Sequence, residues 1–383
     1  MRHANEAGEG RVPDHLDASP NPNRRTAVLG AAALGAAALT PLAFQATSAA
    51  ADTPSPDTAS TSTLGSAGRI DVHQHANPPA SRQWLIDHGL LPPSGGPPWA
   101  QWDLASTLEI MDQTGVAAAV LSGPVPAEFL AGLTADLIRE MTRIGNDGLA
   151  EVVRGQPKRF GFFAYLPLTQ VDVALEAAAY ALDTLKADGV SVNMHAAGLY
   201  LGDPSFDPVL AELNRRKAVV FTHPFNLAGC GGTPVAEFLV DFLADTTRAA
   251  VKMVLAGTLT RFPDIQWILP HGGGFFPYMA GRLQLGTYLG AGVDEATAVR
   301  ALKRFYYDTA MPTSPHATPS LLAAAGSDRI LYGSDWPAAT ADGARLNARA
   351  VDTDPFLDPA TRRRINRENA LRLLPALARR MGG

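Results

Sequence analysis

The chain has 383 residues, long enough for one large α/β barrel or two ordinary domains. A hydrophobic content of 46% is that of a globular protein with a sizeable core, and a net charge of −5 supplies no basic field to draw in nucleic acid. The single cysteine, Cys230, excludes an intramolecular disulfide and a cysteine-based zinc site, so a metal here would take His, Asp or Glu ligands.

Residues 1–25 are polar and end in Arg24 and Arg25; an apolar run from Thr26 to Phe44 follows, then the small residues of "QATSAAADT". The arginine pair before a weakly hydrophobic, Ala- and Gly-rich run resembles a bacterial twin-arginine export signal. Gly30, Gly35 and Pro41 argue against a spanning anchor, which needs about 20 strongly apolar residues. The expectation is a signal peptide over residues 1–51, a Ser, Thr and Pro-rich linker over 52–67, and one folded domain over 68–383, in a protein that is secreted or periplasmic and has no stable membrane anchor.

Eight short apolar runs then recur: "RIDVH" from 69, "AAAVLSG" from 117, "FGFFAYLPL" from 160, "GVSVNM" from 189, "AVVFTHP" from 218, "IQWILPH" from 265, "RFYYDTA" from 304 and "RILYGSD" from 329. Amphipathic stretches such as "DLASTLEIMDQTG" and "VDVALEAAAYALDTLKADG" separate them, with Gly115 and Gly189 where those helices should stop. Strands alternating with helices over roughly 300 residues predict a (β/α)8 TIM barrel of the metal-dependent hydrolase type. A doubly wound sheet loses ground, because no Gly-rich dinucleotide fingerprint follows the first strand. The basic run Arg362, Arg363, Arg364 reads as the solvated face of a late helix.

In such barrels, function gathers at the C-terminal strand ends. Five of the nine histidines fall there: His73, His75, His195, His223 and His271, joined by Asp308 and Asp335. His73 and His75 are two apart on a strand, so with Asp71 they share one face. Neutral imidazoles from His73, His75 and His223 with a carboxylate from Asp335 form a ligand set for one divalent metal, zinc first, with manganese or iron as alternatives. Asp71 either orients a ligand or caps a turn. His271, followed by Gly272, Gly273 and Gly274, is placed to transfer protons beside the metal, with Asp335 as its partner in catalysis; the alternative is a plain turn, with His271 a fifth ligand or a spectator. His195 is a candidate substrate contact. Phe275, Phe276 and Trp336 either wall an apolar pocket or pack in the core, and the loop from Ala76 to Trp102 should cover the mouth.

Together "DVHQH", "VFTHP", "LPHGGGFFPYMAGR" and "YGSDWP" resemble the amidohydrolase superfamily, and within it the aminocarboxymuconate-semialdehyde decarboxylase-like branch, near the hydroxybenzoate and methylsalicylate decarboxylases, over about residues 69–375. That resemblance implies a metal on His73, His75, His223 and Asp335, His271 as acid/base, and Arg282 gripping a substrate carboxylate, in some relatives from the neighbouring subunit of a homodimer. Strand four offers Asn193 and His195 but no lysine, so the carbamylated-lysine bridge of binuclear members is not expected. The implied reaction is metal-dependent, non-oxidative decarboxylation of a small aromatic or unsaturated carboxylic acid. The alternatives are a hydrolase of a lactone, ester or amide at the same centre and, behind both, a non-catalytic binding protein. An export signal is unexpected in a branch of mostly cytoplasmic enzymes, which points to an unfamiliar physiological substrate.

Overall fold

The structure, a computed structural model, describes residues 68–382 apart from residue 124, residues 226–234 and residues 312–313. The export-signal and linker expectations and Cys230 lie outside the described residues.

All eight expected runs are strands: β1 Arg69–His75, β2 Val116–Ser122, β3 Phe160–Tyr165, β4 Gly189–Asn193, β5 Val219–His223, β6 Gln266–Leu269, β7 Phe305–Asp308 and β8 Ile330–Leu331. They form one parallel sheet in chain order. Hydrogen bonds between its two ends close it: Val72 N–H donates to the Tyr332 carbonyl at 2.9 Å, Asp335 N–H to that of His73 at 2.9 Å, and His75 N–H to that of Trp336 at 2.7 Å. The backbone alone therefore sets Asp335 beside His73 and His75.

Helices wrap the outside, including α1 Pro79–Asp87, α2 Leu104–Gln113, α3 Ala135–Gly155, α4 Val171–Ala179, α5 Asp207–Arg215 and α6 Glu237–Leu255. Asp103 caps α2 by accepting from Ser106 N–H at 2.9 Å, and Thr134 caps α3 through Leu137 N–H at 3.3 Å, satisfying donors that a helix start leaves unpaired. Outward strand residues such as Phe160, Phe162, Val190, Val192, Val220 and Trp267 pack under these helices. A second cluster joins Phe163, Phe221, Ile268 and Leu331 to Leu373, Leu374 and Leu377 near the C-terminus. Phe163 and Phe221 stack with centroids 5.6 Å apart. Phe221 is two residues before His223 on β5, so both take one face, and its ring lies 4.8 Å from that of His73: an apolar floor under the histidines.

Some sequence expectations are corrected. The helix after β3 does not run to Gly189: a wide turn over Tyr180–Leu185 ends at Lys186, which takes the left-handed conformation. Gly189 instead opens β4, where a Cβ would sit 2.5 Å from the Val219 carbonyl oxygen. Arg362 is no solvated helix face, because its guanidinium donates to the carbonyls of Val351, Asp354 and Leu357. The stretch from Ala76 to Trp102 is not all loop: it contains α1 and buries Trp84, Leu85, Leu91 and Ala100 against Ile138, Met141 and Tyr165. The strand bearing Asp335 ends early, at Leu331, and the following chain passes so close to β1 and β7 that a Cβ on Gly333 would lie 2.9 Å from the Cβ of His73 and 3.1 Å from that of Asp308.

Gly333→Ala is expected to destabilise the protein by about 1–3 kcal/mol, because the added methyl forces apart packed backbone and metal-facing residues. Urea unfolding of the two proteins measures it; an unchanged midpoint would show that the approach is not tight.

Candidate metal centre

The three histidines and the aspartate come from three separate strand ends, and one oxygen or nitrogen from each lies within 4.8 Å of all the others. His75 Nε2 is central, 3.3 Å from His73 Nε2, 3.1 Å from His223 Nε2 and 3.0 Å from Asp335 Oδ1; His73 Nε2 is 3.2 Å from the same oxygen. A cation bound at about 2.0–2.2 Å to each donor draws its ligands about 3–3.5 Å apart, so these separations fit.

Hydrogen placement supports the same reading. Nδ1 of His73 lies 2.8 Å from Asp308 Oδ2 and donates to it, which leaves a lone pair on Nε2 of the neutral ring. Nδ1 of His75 lies 3.3 Å from Ser122 Oγ, whose hydroxyl donates to the Gln74 carbonyl at 3.4 Å, so His75 also turns a lone pair inward. Converging lone pairs beside a carboxylate repel one another unless a proton or a cation sits among them. Without a metal, the proton wins: burial pushes His73 down, but Asp308 and Asp335 outweigh it and raise its pKa from 6.5 to about 10. Burial lowers His75, and burial with repulsion from His75 and His73 lowers His223 well below its usual value. Burial pushes Asp335 up, yet the charge on His73 and the bonds from His271, His73 and His75 hold it well below the carboxylate range.

Two further aspartates hold the ligands in place. Asp308 spends its second oxygen on the N–H of His271 at 2.9 Å and of Ala310 at 3.0 Å. Its strand-end position was visible in the sequence; its grip on His73 and His271 was not. Asp71 orients backbone rather than a ring: Oδ1 accepts from His73 N–H at 3.0 Å and Ser334 N–H at 3.1 Å, and Oδ2 from Gln74 at 2.8 Å. Burial outweighs these bonds and pushes its pKa to about 6.

His271 stands beside the metal set. It is buried, has φ 54°, and its Nε2 lies 3.4 Å from Asp335 Oδ2, the oxygen facing away from His73 and His75. Its Nδ1 has no partner among the described residues. His195 pairs through Nδ1 with Asp245 Oδ1 at 2.9 Å. Asn193 donates to the Val125 carbonyl at 3.1 Å.

The structure gives Trp336, Phe276, Phe275 and Arg282 the following places. Trp336 is turned onto α2, where its indole N–H donates to Thr107 Oγ1 at 3.0 Å, and it lines a cavity of about 330 Å³ with Gln101, Trp102 and Ser106 rather than the histidines. Phe276 is core, packed edge-on against Phe305 at 5.8 Å, while Phe275 is partly exposed. Arg282 is on a helix at Ala280–Thr287, exposed, with no side-chain bond among the described residues.

A parallel eight-stranded barrel with one-metal ligands at its C-terminal rim defines a class of metal-dependent barrel enzymes. The chain belongs to the amidohydrolase family, whose profile matches residues 70–376. It is 33% identical to decarboxylase yanB of Aspergillus niger over 327 residues, 80% of this chain and 87% of that one. It is 33% identical to a 6-methylsalicylic acid decarboxylase of Penicillium expansum over 323 residues, 81% and 97% of the two chains. Its fold matches a 5-carboxyvanillate decarboxylase of Novosphingobium aromaticivorans, solved with bound manganese, at a TM-score of 0.70 and 19% identity, covering 82% of this chain and 98% of that one.

The His73 shift has a sign. In metal-free protein, its bound proton stabilises the fold fully below about pH 6.5, and that contribution is lost as pH rises towards about 10. A metal must displace this proton, so metal affinity runs the other way and weakens as pH falls. Adding metal to apo-protein at pH 8 in weak buffer is expected to release about one proton per ion, read with an indicator dye; no release would mean that His73 binds metal unprotonated from the start.

Proposed function

We propose that this protein is a metal-dependent, non-oxidative decarboxylase of a small aromatic carboxylic acid. The observation that carries the reading is His271, which touches Asp335 yet stands apart from the four ligands. A proton donor is thus set beside a charge-stabilising centre, in a chain whose near-full-length relatives are named decarboxylases.

When bound, the metal supplies positive charge that holds the acid's oxygens and stabilises negative charge as it moves. The remaining work falls to side chains. His73, His75, His223 and Asp335 orient the acid over the floor made by Phe221. As the bond from ring carbon to carboxylate breaks, its electron pair stays on the ring carbon, which takes a proton from His271 while CO2 leaves. Asp335 Oδ2 keeps the imidazole of His271 directed at that carbon. The buried, apolar floor strengthens these interactions by excluding water. For the metal itself we propose zinc, on the strength of three imidazole nitrogens and one carboxylate as donors.

We propose further that the protein is a homodimer and that Arg282 acts at the dimer interface. Around it, Tyr278, Tyr288 and Leu289 are 84%, 87% and 78% exposed, with Leu285 at 58%. Elsewhere, at the start of α6, Phe238 and Leu239 are 47% and 58% exposed. So many large apolar side chains in the open mark a surface that another protein covers. Arg282, with no bond of its own, would then reach a carboxylate with its guanidinium fork.

Purified protein is expected to carry one equivalent of zinc by elemental analysis and to release CO2 from a panel of hydroxybenzoates. His271→Ala should keep the metal and lose at least about 100-fold in turnover. Loss of metal with that side chain, or lactone opening without CO2 release, would overturn the assignment. Light scattering should give a dimer, and Tyr288→Asp with Leu289→Asp a metal-loaded monomer; a wild-type monomer would refute the interface.

A further inference from the structure

The three imidazoles of the metal set are not held alike. Nδ1 of His73 is anchored on Asp308 at 2.8 Å, and Nδ1 of His75 lies 3.3 Å from Ser122 Oγ. Nδ1 of His223 has no hydrogen-bond partner among the described residues. Its Nε2 faces His75 Nε2 at 3.1 Å, so a neutral ring that turns a lone pair inward carries its hydrogen on the orphaned Nδ1. A bonded ring hydrogen raises the basicity of the ligating nitrogen and fixes the rotation of the ring, and a buried donor left unpaired is costly. His223 lacks the first and carries the second.

Apart from other imidazoles, the rings around it are Phe221, Phe225 and Phe242, with centroids at 6.2, 5.2 and 6.5 Å. A phenyl ring offers no lone pair to the Nδ1 hydrogen. Phe225 and Phe242 are only half-buried. His223 is 9% exposed, against 0% for His73, 2% for His75 and 3% for Asp335, and so is the most accessible of the four ligands. Its backbone, by contrast, is fixed. The His223 carbonyl accepts the N–H of Met194 at 2.9 Å, and two residues on, the N–H of Phe225 donates to Asp245 Oδ2 at 3.1 Å. The freedom is confined to the ring, which turns about its own side-chain bonds.

We propose that His223 is the labile ligand of the set: its ring turns off the metal when the acid arrives, and a carboxylate oxygen takes its place, while His73, His75 and Asp335 stay. The exchange balances. The bond from Nε2 to the metal breaks and its electron pair returns to the ring; an oxygen lone pair of the acid forms the new bond; the hydrogen on Nδ1 stays where it is. The proposal rests on the carboxylic-acid reading above for the incoming group and adds to it how a set of four protein ligands makes room.

Wild-type protein labelled with nitrogen-15 in its histidines and loaded with cadmium-113 tests it, because each ligating nitrogen shows a splitting from the metal nucleus. Three split imidazole signals are expected without ligand. Saturating benzoate should remove the splitting of His223 alone, that signal being assigned by its absence from His223→Gln. Three splittings that survive in bound benzoate, or a loss at His73 or His75 instead, overturn the proposal. A second readout needs no acid. Zinc affinity, measured by competition with a chelating dye, should fall about tenfold less in His223→Ala than in His73→Ala or His75→Ala, the low end of what an orienting partner contributes to a ligand. An equal or larger fall in His223→Ala overturns it. Both readouts report metal bonds, not turnover. A splitting lost at His223 in a protein that releases no CO2 would support the exchange and overturn only the reaction. A protein that binds no benzoate would overturn the acid reading, and the affinity series would then decide the lability of His223 by itself.

Discussion

Three imidazole nitrogens and a carboxylate oxygen stand 3.0–3.3 Å from their neighbours with lone pairs turned inward. Left alone, that arrangement is repulsive, and the rest of the barrel rim exists to hold it. The sheet closes where Asp335 bonds to the His73 backbone. Asp71 ties the backbone of His73 to the turn before Asp335, and Asp308 fixes the His73 ring. A metal relieves the repulsion; without one, a proton on His73 does. Proton and cation therefore compete for one place, which links the charge of the site to its occupancy.

The rim holds four buried aspartates, and they differ in what they face. Asp335 meets imidazoles and stays ionised, and Asp71 meets backbone N–H groups and is raised by burial. Asp308 divides itself between a ring and two N–H groups, and Asp245 between a ring and one. Each carboxylate fixes a ring nitrogen or a stretch of backbone, because unpaired burial of such a group would cost several kcal/mol. That cost makes the geometry stiff: moving His73 or Asp335 would break bonds that water cannot replace.

The apolar surface near Arg282 obeys another rule. Tyr278, Tyr288 and Leu289 are left in water although the barrel core is complete without them. The homodimer proposed above would bury them.

How much of this was legible in the sequence differs by residue. The eight strands were, because apolar runs bounded by turns report burial on both faces of a parallel sheet. The four ligands were, because period-two spacing puts His73 and His75 on one face and strand ends gather at one rim. The directions of neighbouring side chains were not. Trp336 follows a ligand yet turns outward onto α2, and Phe276 follows the glycine-rich turn yet enters the core. Asp245 was invisible, since an acidic residue in an amphipathic helix looks like a solvent-facing one until its partners are known. Those partners lie 50 and 20 residues away. The sequence determined the barrel and its ligands because strand period and residue type are local properties. The tertiary structure alone decided the tautomers, the clamps and the open face, because each depends on which distant atom comes within about 3 Å.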